Sequence, residues 1–565
     1  MHFQARPGNV RGPMRAAPGS ADSESTLTHT IDAGFSPAPD TSGSSGHAYR
    51  RKALSSKTLT ALDHFRKDAR RLKKAITSGD RAALARAHKF VSADKPLKHA
   101  DCLHVIAREA GHTSWPQLKF AIESAAMTRA ERADRLKTAL FNGQHWVTNK
   151  LLDDDPALKD DNLGLQIALY DLASVREAVE ADPKRALDPI CARSPLLHLA
   201  FSKEIHRSLS KHADMLALAE LLLSHGADVN DGFPANANTD HKLSALYGAL
   251  CHADNYELGE LLLRHGADPN DNESLYHATE LAHARALKLL LEYGAKPDGT
   301  NALPRALDFN DLDKVRMLLE AGANPNLLED NHPSGQPVNT IPALHQAARR
   351  GCSGEVVSLL VSSGADLDVR WQGHSAYALA RIHGHTEAAS ALSDLGCDTR
   401  LTPDEQALAA CATGEASAKR LDLKALTDED RRLLVRLASE PGRLPQIKAL
   451  VAAGLDPNAT DEMGLSPLHA AGWHGLPEET AYFLSLKPDL SKKNGFGGDA
   501  LDTVLHGAEF APEKPGADHI KCARLLLENG SRIYPDFIEG CGDEEVAAFL
   551  ETWISAHPES LAQRA

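Results

Sequence analysis

No two cysteines in this sequence form a C-x-x-C pair; the eight present (Cys102, Cys191, Cys251, Cys352, Cys397, Cys411, Cys522 and Cys541) are scattered along the chain. A disulfide framework or a zinc module needs tighter, regular spacing, so reduced thiols in a cytoplasmic protein are expected. Aromatic residues make up only 5%, which excludes a core built on large rings. No stretch approaches the roughly 20 apolar residues of a membrane span. The N-terminal stretch has no apolar segment of the signal-peptide kind, so a cytoplasmic location is expected, with signal-independent secretion left open. Walker A, strand-linked G-x-G-x-x-G and H-E-x-x-H patterns are all missing, and no catalytic or cofactor-binding residue is assigned. The run Gly373-His374-Ser375-Ala376-Tyr377 opens like a nucleophile elbow but lacks the closing glycine.

What is present is ordinary in total and unusual in arrangement. The apolar share is 42% and the charged share 25% over 565 residues, too long for one hydrophobic core and so either several domains or a repeat array. Abundant Ala and Leu suit thin helical layers, and an all-α fold is expected. The formal charge of -15 argues against general nucleic-acid or anionic-membrane binding, because phosphate recognition needs cationic surface. Residues 50–74 are the exception: Arg50, Arg51, Lys52, Lys57, Arg66, Lys67, Arg70, Arg71, Lys73 and Lys74 face only Asp63 and Asp68. That run either docks nucleic acid or an acidic partner, or is a solvated helix face attracted to the acidic remainder of the chain.

Residues 1–55 are rich in Gly, Pro, Ser and Ala; they bury too little apolar surface to offset ordering entropy and are expected to be a disordered tail, or to reflect a start codon placed upstream. From about 58 the pattern turns helical. Leu59, Leu62, Phe65, Ala69, Leu72 and Ile76 recur at three- and four-residue steps. Further helices are expected over residues 83–91, 100–110 and 113–119, the last with a Ser or Thr cap and Pro116 in its first turn. Residues 56–128 read as a small helical domain that caps the remainder of the chain.

Beyond residue 130 the chain repeats itself. A Leu-rich helix ending in Gly-Ala-Asp-x-Asn occurs at residues 221–230 and returns at 261–270, with variants at Gly294, Gly322, Gly364 and Gly454. A second motif is Ser466-Pro467-Leu468-His469-Ala470-Ala471, with looser copies at Pro342 to Ala347 and Ser194 to Ala200. Ser466 can cap a helix, Pro467 can start it and Leu468 can enter a core. These residues resemble the ankyrin repeat, whose first helix carries T-P-L-H-x-A. The resemblance implies an ankyrin-repeat solenoid over residues 129–558, of about twelve repeats, several degenerate, closed by a capping helix at residues 544–553. It also implies that His469 and His345 bond backbone groups of the inter-repeat turns. Helix pairs without signature residues are expected over 133–185 and 401–435. The run Ile106 to Pro116 and the phrase Asn494-Gly495-Phe496-Gly497-Gly498 are similar to segments of bacterial ankyrin proteins, which points to a bacterial origin. Insertions at 231–242, 327–340 and 509–517 exceed the usual loop, either for special contacts or as surface drift.

A stacked array does no chemistry but offers an extended face of first helices and turn tips to another protein. The expected function is a non-enzymatic scaffold or regulatory adaptor. Alternatives are a secreted bacterial effector that binds a host protein, and a nucleic-acid-associated protein using residues 50–74. Candidate partner contacts are Arg349, Arg350, Trp371, His374, Tyr377, Trp473 and His474, because Trp, Tyr and Arg dominate interface hot spots; the competing reading packs Tyr377 and Trp473 between repeats. Two histidine groups, His383-Gly384-His385 and His99 to His104, lack zinc spacing and are assigned no metal. No cofactor, membrane or small-molecule substrate is expected.

Overall fold

Short amphipathic helices succeed one another because apolar residues recur at helical spacing for only two or three turns before an Asx or Ser cap, or a glycine, interrupts them. The structure, a computed structural model, describes residues 56–93, 97–235, 241–328, 341–415, 420–512, 514–534, 537 and 543–562. The expected tail at 1–55 and most of the 327–340 insertion lie outside these residues.

Four helices open the described chain: Ser56–Thr77, Arg81–Ala87, His99–Glu109 and Trp115–Ala125. They share a core of Ala69, Leu72, Cys102, Leu103, Val105, Ile106, Trp115 and Leu118. Pro116 sits in the first turn of its helix as the sequence suggests, but the Ser114 side chain makes no capping bond. Phe120 instead leaves this group and packs with Leu136, Leu140 and Val147 of the next pair.

Helix pairs come next, beginning with Arg129–Asn142 and His145–Asp154, and Leu163–Ala168 and Leu172–Ala181. First helices stack on first helices: Ala302–Asp308 packs on Ala343–Arg350, which packs on Ala376–Ile382. Second helices stack likewise, Gly354–Ser362 on Thr386–Asp394. One apolar cluster runs unbroken from Ile167 to Cys397 and a second from Ile382 to Leu550. They meet within the helix Ala376–Ile382, whose Leu379 and Ala380 belong to the first and Ile382 to the second. A pair of short antiparallel ribbons, Gly232–Pro234 with Lys242–Ser244 and Arg370–Trp371 with His374–Ser375, rises from the turns.

The Gly-Ala-Asp-x-Asn motif has a physical reason at each position. Gly266 holds φ at 92°, which ends the helix, and a side chain there would meet nothing within 4 Å; backbone conformation alone selects glycine. The terminal Asn reaches the next unit. Asn230 Oδ1 accepts the Asp268 N–H at 2.8 Å, Asn270 that of Lys296 at 2.9 Å, Asp298 that of Asn324 at 2.9 Å and Asn326 that of Asp366 at 2.8 Å. A hydrogen-bonded ladder therefore stitches successive turns.

One expectation is corrected. Residues 401–435 do not form a simple helix pair: the helix that packs on Pro403–Ala412 is Leu444–Ala453, and the short helices Asp428–Arg431 and Leu433–Leu437 come between them. In the 509–517 insertion, Lys514 Nζ donates to the Ser439 carbonyl of a distant segment at 2.5 Å. The Glu544–Ala556 helix packs on His519–Glu528 through buried Val546 and Leu550, and also touches the helix His99–Glu109. Among the described residues no helix is long and apolar enough to cross a membrane.

Close stacking depends on small residues. A Cβ added at Gly507 would lie 2.1 Å from the Trp473 carbonyl oxygen, so Pro467–Trp473 and Ala500–Phe510 touch backbone to backbone. Gly507→Ala is expected to destabilise the protein by about 3 kcal/mol through overpacking. Asn270→Ala, which removes one ladder bond, is expected to cost about 1 kcal/mol. Urea midpoints of the two variants check the order; equal midpoints would contradict it.

Candidate functional site

Stacking first helices in register brings equivalent positions of neighbouring units together, and here those positions carry charge. His241, at the foot of the first ribbon, hydrogen-bonds Glu273. The other oxygen of Glu273 lies 2.8 Å from His277 Nε2, and His277 Nδ1 lies 2.7 Å from Glu280. Arg305 of the next first helix donates to Glu280 at 2.9 Å and to Asp308 at 3.1 Å. Asp308 in turn accepts from Gln346 at 2.5 Å and Arg350 at 2.8 Å, one unit further on. Acid and base alternate along the chain, so each buried charge has an opposite neighbour on both sides, the condition for tolerating it in low dielectric.

The ionisation states are set by this geometry. Burial opposes charge on His277, but its hydrogen bonds to Glu273 and Glu280 outweigh that and raise it to about 9. Burial likewise opposes ionisation of Glu273, yet the two imidazoles bring it down to about 2. His277 is therefore an imidazolium at neutral pH, held between two carboxylates.

A second knot lies where the repeat pattern lapses. Thr427 caps the turn Asp428–Arg431, which carries Glu429 and Asp430 onto the first-helix side. Glu429 lies 3.6 Å from Arg349, 2.9 Å from Arg436 and 3.5 Å from His383. Asp430 lies 3.2 Å from His374, whose Nδ1 is 2.8 Å from Glu405. Burial disfavours the charge of Glu429, but His383, Arg436 and Arg349 together hold it near 2. Burial pushes His383 down to about 4, so its ring is neutral, and pushes Arg349 down to about 10. In His374 the bonds to Asp430 and Glu405 overcome burial and raise it to about 9.

The residues proposed from sequence are thus distributed rather than gathered. Arg349 and His374 lie inside the second knot, His374 buried and Arg349 largely so, and Arg350 belongs to the first. Trp371 and Tyr377 are half-buried against the main core, with Arg349 5.9 Å from the Trp371 ring and Arg381 donating to the Tyr377 hydroxyl at 2.9 Å. Trp473 is half-buried and His474 buried. Trp473 opens an aromatic row: His506 lies 5.3 Å from it and Phe510, 49% exposed, 4.5 Å beyond. Sequence reading missed Glu273, His277, Glu280, Arg305, Asp308, Glu429 and Asp430. The available signal was a base followed by an acid three residues later in successive units, His277 with Glu280 and Arg305 with Asp308.

His345 Nε2 bonds the His374 carbonyl at 3.1 Å in the next turn. His469 Nδ1 lies 2.7 Å from the Ser466 hydroxyl of its own helix, and the Lys492 and Gly498 backbone of the next turn also acts on its ring. His383 and His385 face different partners, Glu429 and the Arg349 carbonyl. Among the described residues no group of three His, Cys, Asp or Glu is placed to hold a metal ion. Burial raises the thiols of Cys352 and Cys522 to about 12, which suits packing rather than nucleophilic chemistry.

Comparison with known proteins agrees with this architecture. A family model described as ankyrin repeats (3 copies) matches residues 249–329 and 310–403. No curated protein matches the chain.

The knots give a pH dependence with a definite sign. Because His277 and His374 are raised from 6.5 to about 9, their contribution to stability is complete below about 6.5 and lost as pH rises through 9. Melting temperature should fall between pH 7 and 10 and fall less in the H277Q/H374Q variant; parallel profiles would exclude the rings as the cause. Glu429→Gln leaves Arg349 and Arg436 without their buried counter-charge and is expected to cost about 3 kcal/mol in urea unfolding.

Proposed function

We propose, for a chain that contains ankyrin repeats, a non-enzymatic role as a scaffold or regulatory adaptor that holds a protein partner on its first helices and turn tips. Ankyrin repeats in general mediate protein–protein interaction, and the buried charges here neutralise one another rather than converging on a reactive atom. The observation that carries the reading is the set of half-buried aromatics on the first-helix side. Trp371, Tyr377 and Trp473 each pack one part of the side chain on the core or a neighbouring ring and leave the rest accessible. A rigid, partly desolvated aromatic is the anchor type that dominates interface energetics.

In this reading residues 340–475 form the main contact surface, extended by His506 and Phe510. Arg350 contributes directly, while Arg349, His374 and His474 act from behind by fixing the turns. The array comprises about twelve units over residues 129–558, with residues 56–128 as a separate helical module. A protein partner is favoured over nucleic acid because the net charge is -15 and the basic first helix already faces carboxylates of its own chain. Scattered cysteines with no C-x-x-C pair fit a reducing cytoplasm.

Full-length protein carrying R350A/W371A/W473A should lose more than about tenfold in partner capture from its source cells, since anchors of this type contribute about 2 kcal/mol or more each. Arg264→Ala, on the exposed face of the second helix Tyr256–Arg264, should leave capture unchanged. Equal recovery of the same partner by both variants would refute the first-helix assignment.

A further inference from the structure

The first helix of the described chain, Ser56–Thr77, carries seven Lys or Arg and two Asp; the helix Glu544–Ala556 carries three Glu and no basic residue. Nearly five hundred positions separate them in sequence, yet the two meet. Arg70 of the first pairs with Glu551 of the second at 2.5 Å, and both side chains are about two-thirds removed from solvent. Arg70 thereby finds a partner outside its own helix, whereas Lys67 and Arg71 pair with Asp63 and Asp68 of that helix.

A second contact repairs a local defect. The helix His99–Glu109 begins after Lys98, whose side chain has no acceptor to offer the free amides of the first turn. Glu545 supplies one: its Oε1 accepts the Ala100 N–H at 2.8 Å. An anionic acceptor at a helix N-terminus also meets the positive end of the helix dipole. Asp101 of the same helix accepts the Lys98 N–H at 2.7 Å, while the carboxylate on the Ala100 amide comes from the far side of the repeat array.

We propose that these contacts form an ionic latch, in which the acidic Glu544–Ala556 helix docks on the basic helix Ser56–Thr77 and on the N-terminus of His99–Glu109 and closes the repeat array on itself. Stacked repeats flex cooperatively because each touches only its neighbours. A clasp between distant members limits how far the first-helix side can splay, and its release by salt or by a competing acidic surface widens access to that side. The consequence for access rests on the partner-binding reading; closure itself does not.

The test uses the full chain without a partner. In small-angle scattering at about 0.15 M salt the wild type should be compact, and at about 1 M, where screening shortens to a few ångströms, its radius of gyration should increase. Glu551→Arg should show the larger radius already at low salt, and R70E/E551R, which restores opposite charges, should return to the wild-type value. Glu545→Gln should speed hydrogen exchange at the Ala100 amide about tenfold, as loss of a charge-assisted bond implies, with circular dichroism unchanged. The latch is refuted if Glu551→Arg retains the wild-type radius, if the charge swap stays as open as the single variant, or if exchange at Ala100 does not change. None of these readouts depends on whether a partner exists.

Discussion

A pair of two- or three-turn helices cannot bury its own apolar face, and everything else in this molecule stems from the need to stack such pairs closely. Contact as tight as that between Gly507 and the Trp473 carbonyl fixes the separation of neighbouring first helices. Once separation and register are fixed, side chains at equivalent positions of adjacent units must face each other. The asparagine ladder on the turn side and the charge chain on the first-helix side are two outcomes of that one constraint.

The charge chain also shows how buried polarity can be arranged along a one-dimensional core. Each member from Glu273 to Asp308 has opposite charges or hydrogen-bond donors on both flanks, so the charges of this chain balance one another. The turn Asp428–Arg431 adds a different arrangement. Its Glu429 and Asp430 lie over the preceding first helices, where they neutralise Arg349 and His374, and Glu429 also meets Arg436 of the helix that follows. The two large apolar clusters hand over earlier, within Ala376–Ile382, and His374 and His383, which flank that helix, tie the knot to it.

In the proposed reading, a face that is self-neutralised in its middle leaves recognition to its aromatic margins. Half-buried Trp371, Tyr377 and Trp473, with the row to Phe510, offer area at little entropic cost because their rings are already held. The clasp between Arg70, Ala100, Glu545 and Glu551 would constrain the same side from outside, through the curvature of the stack rather than by occupying it.

Local periodicity determined the elements: the helices near residues 59–76, 83–91 and 100–110, the cap at Ser466, the glycine that ends each second helix and the Asn that comes after it were legible because each depends on neighbours within a few positions. Tertiary structure alone decided which charges meet. His374 finds Asp430 across 56 positions, Arg349 finds Glu429 across 80, and Glu545 caps a helix 445 residues earlier. A sequence pattern records what each segment needs buried, but pairing between distant segments depends on the accumulated geometry of every layer between them.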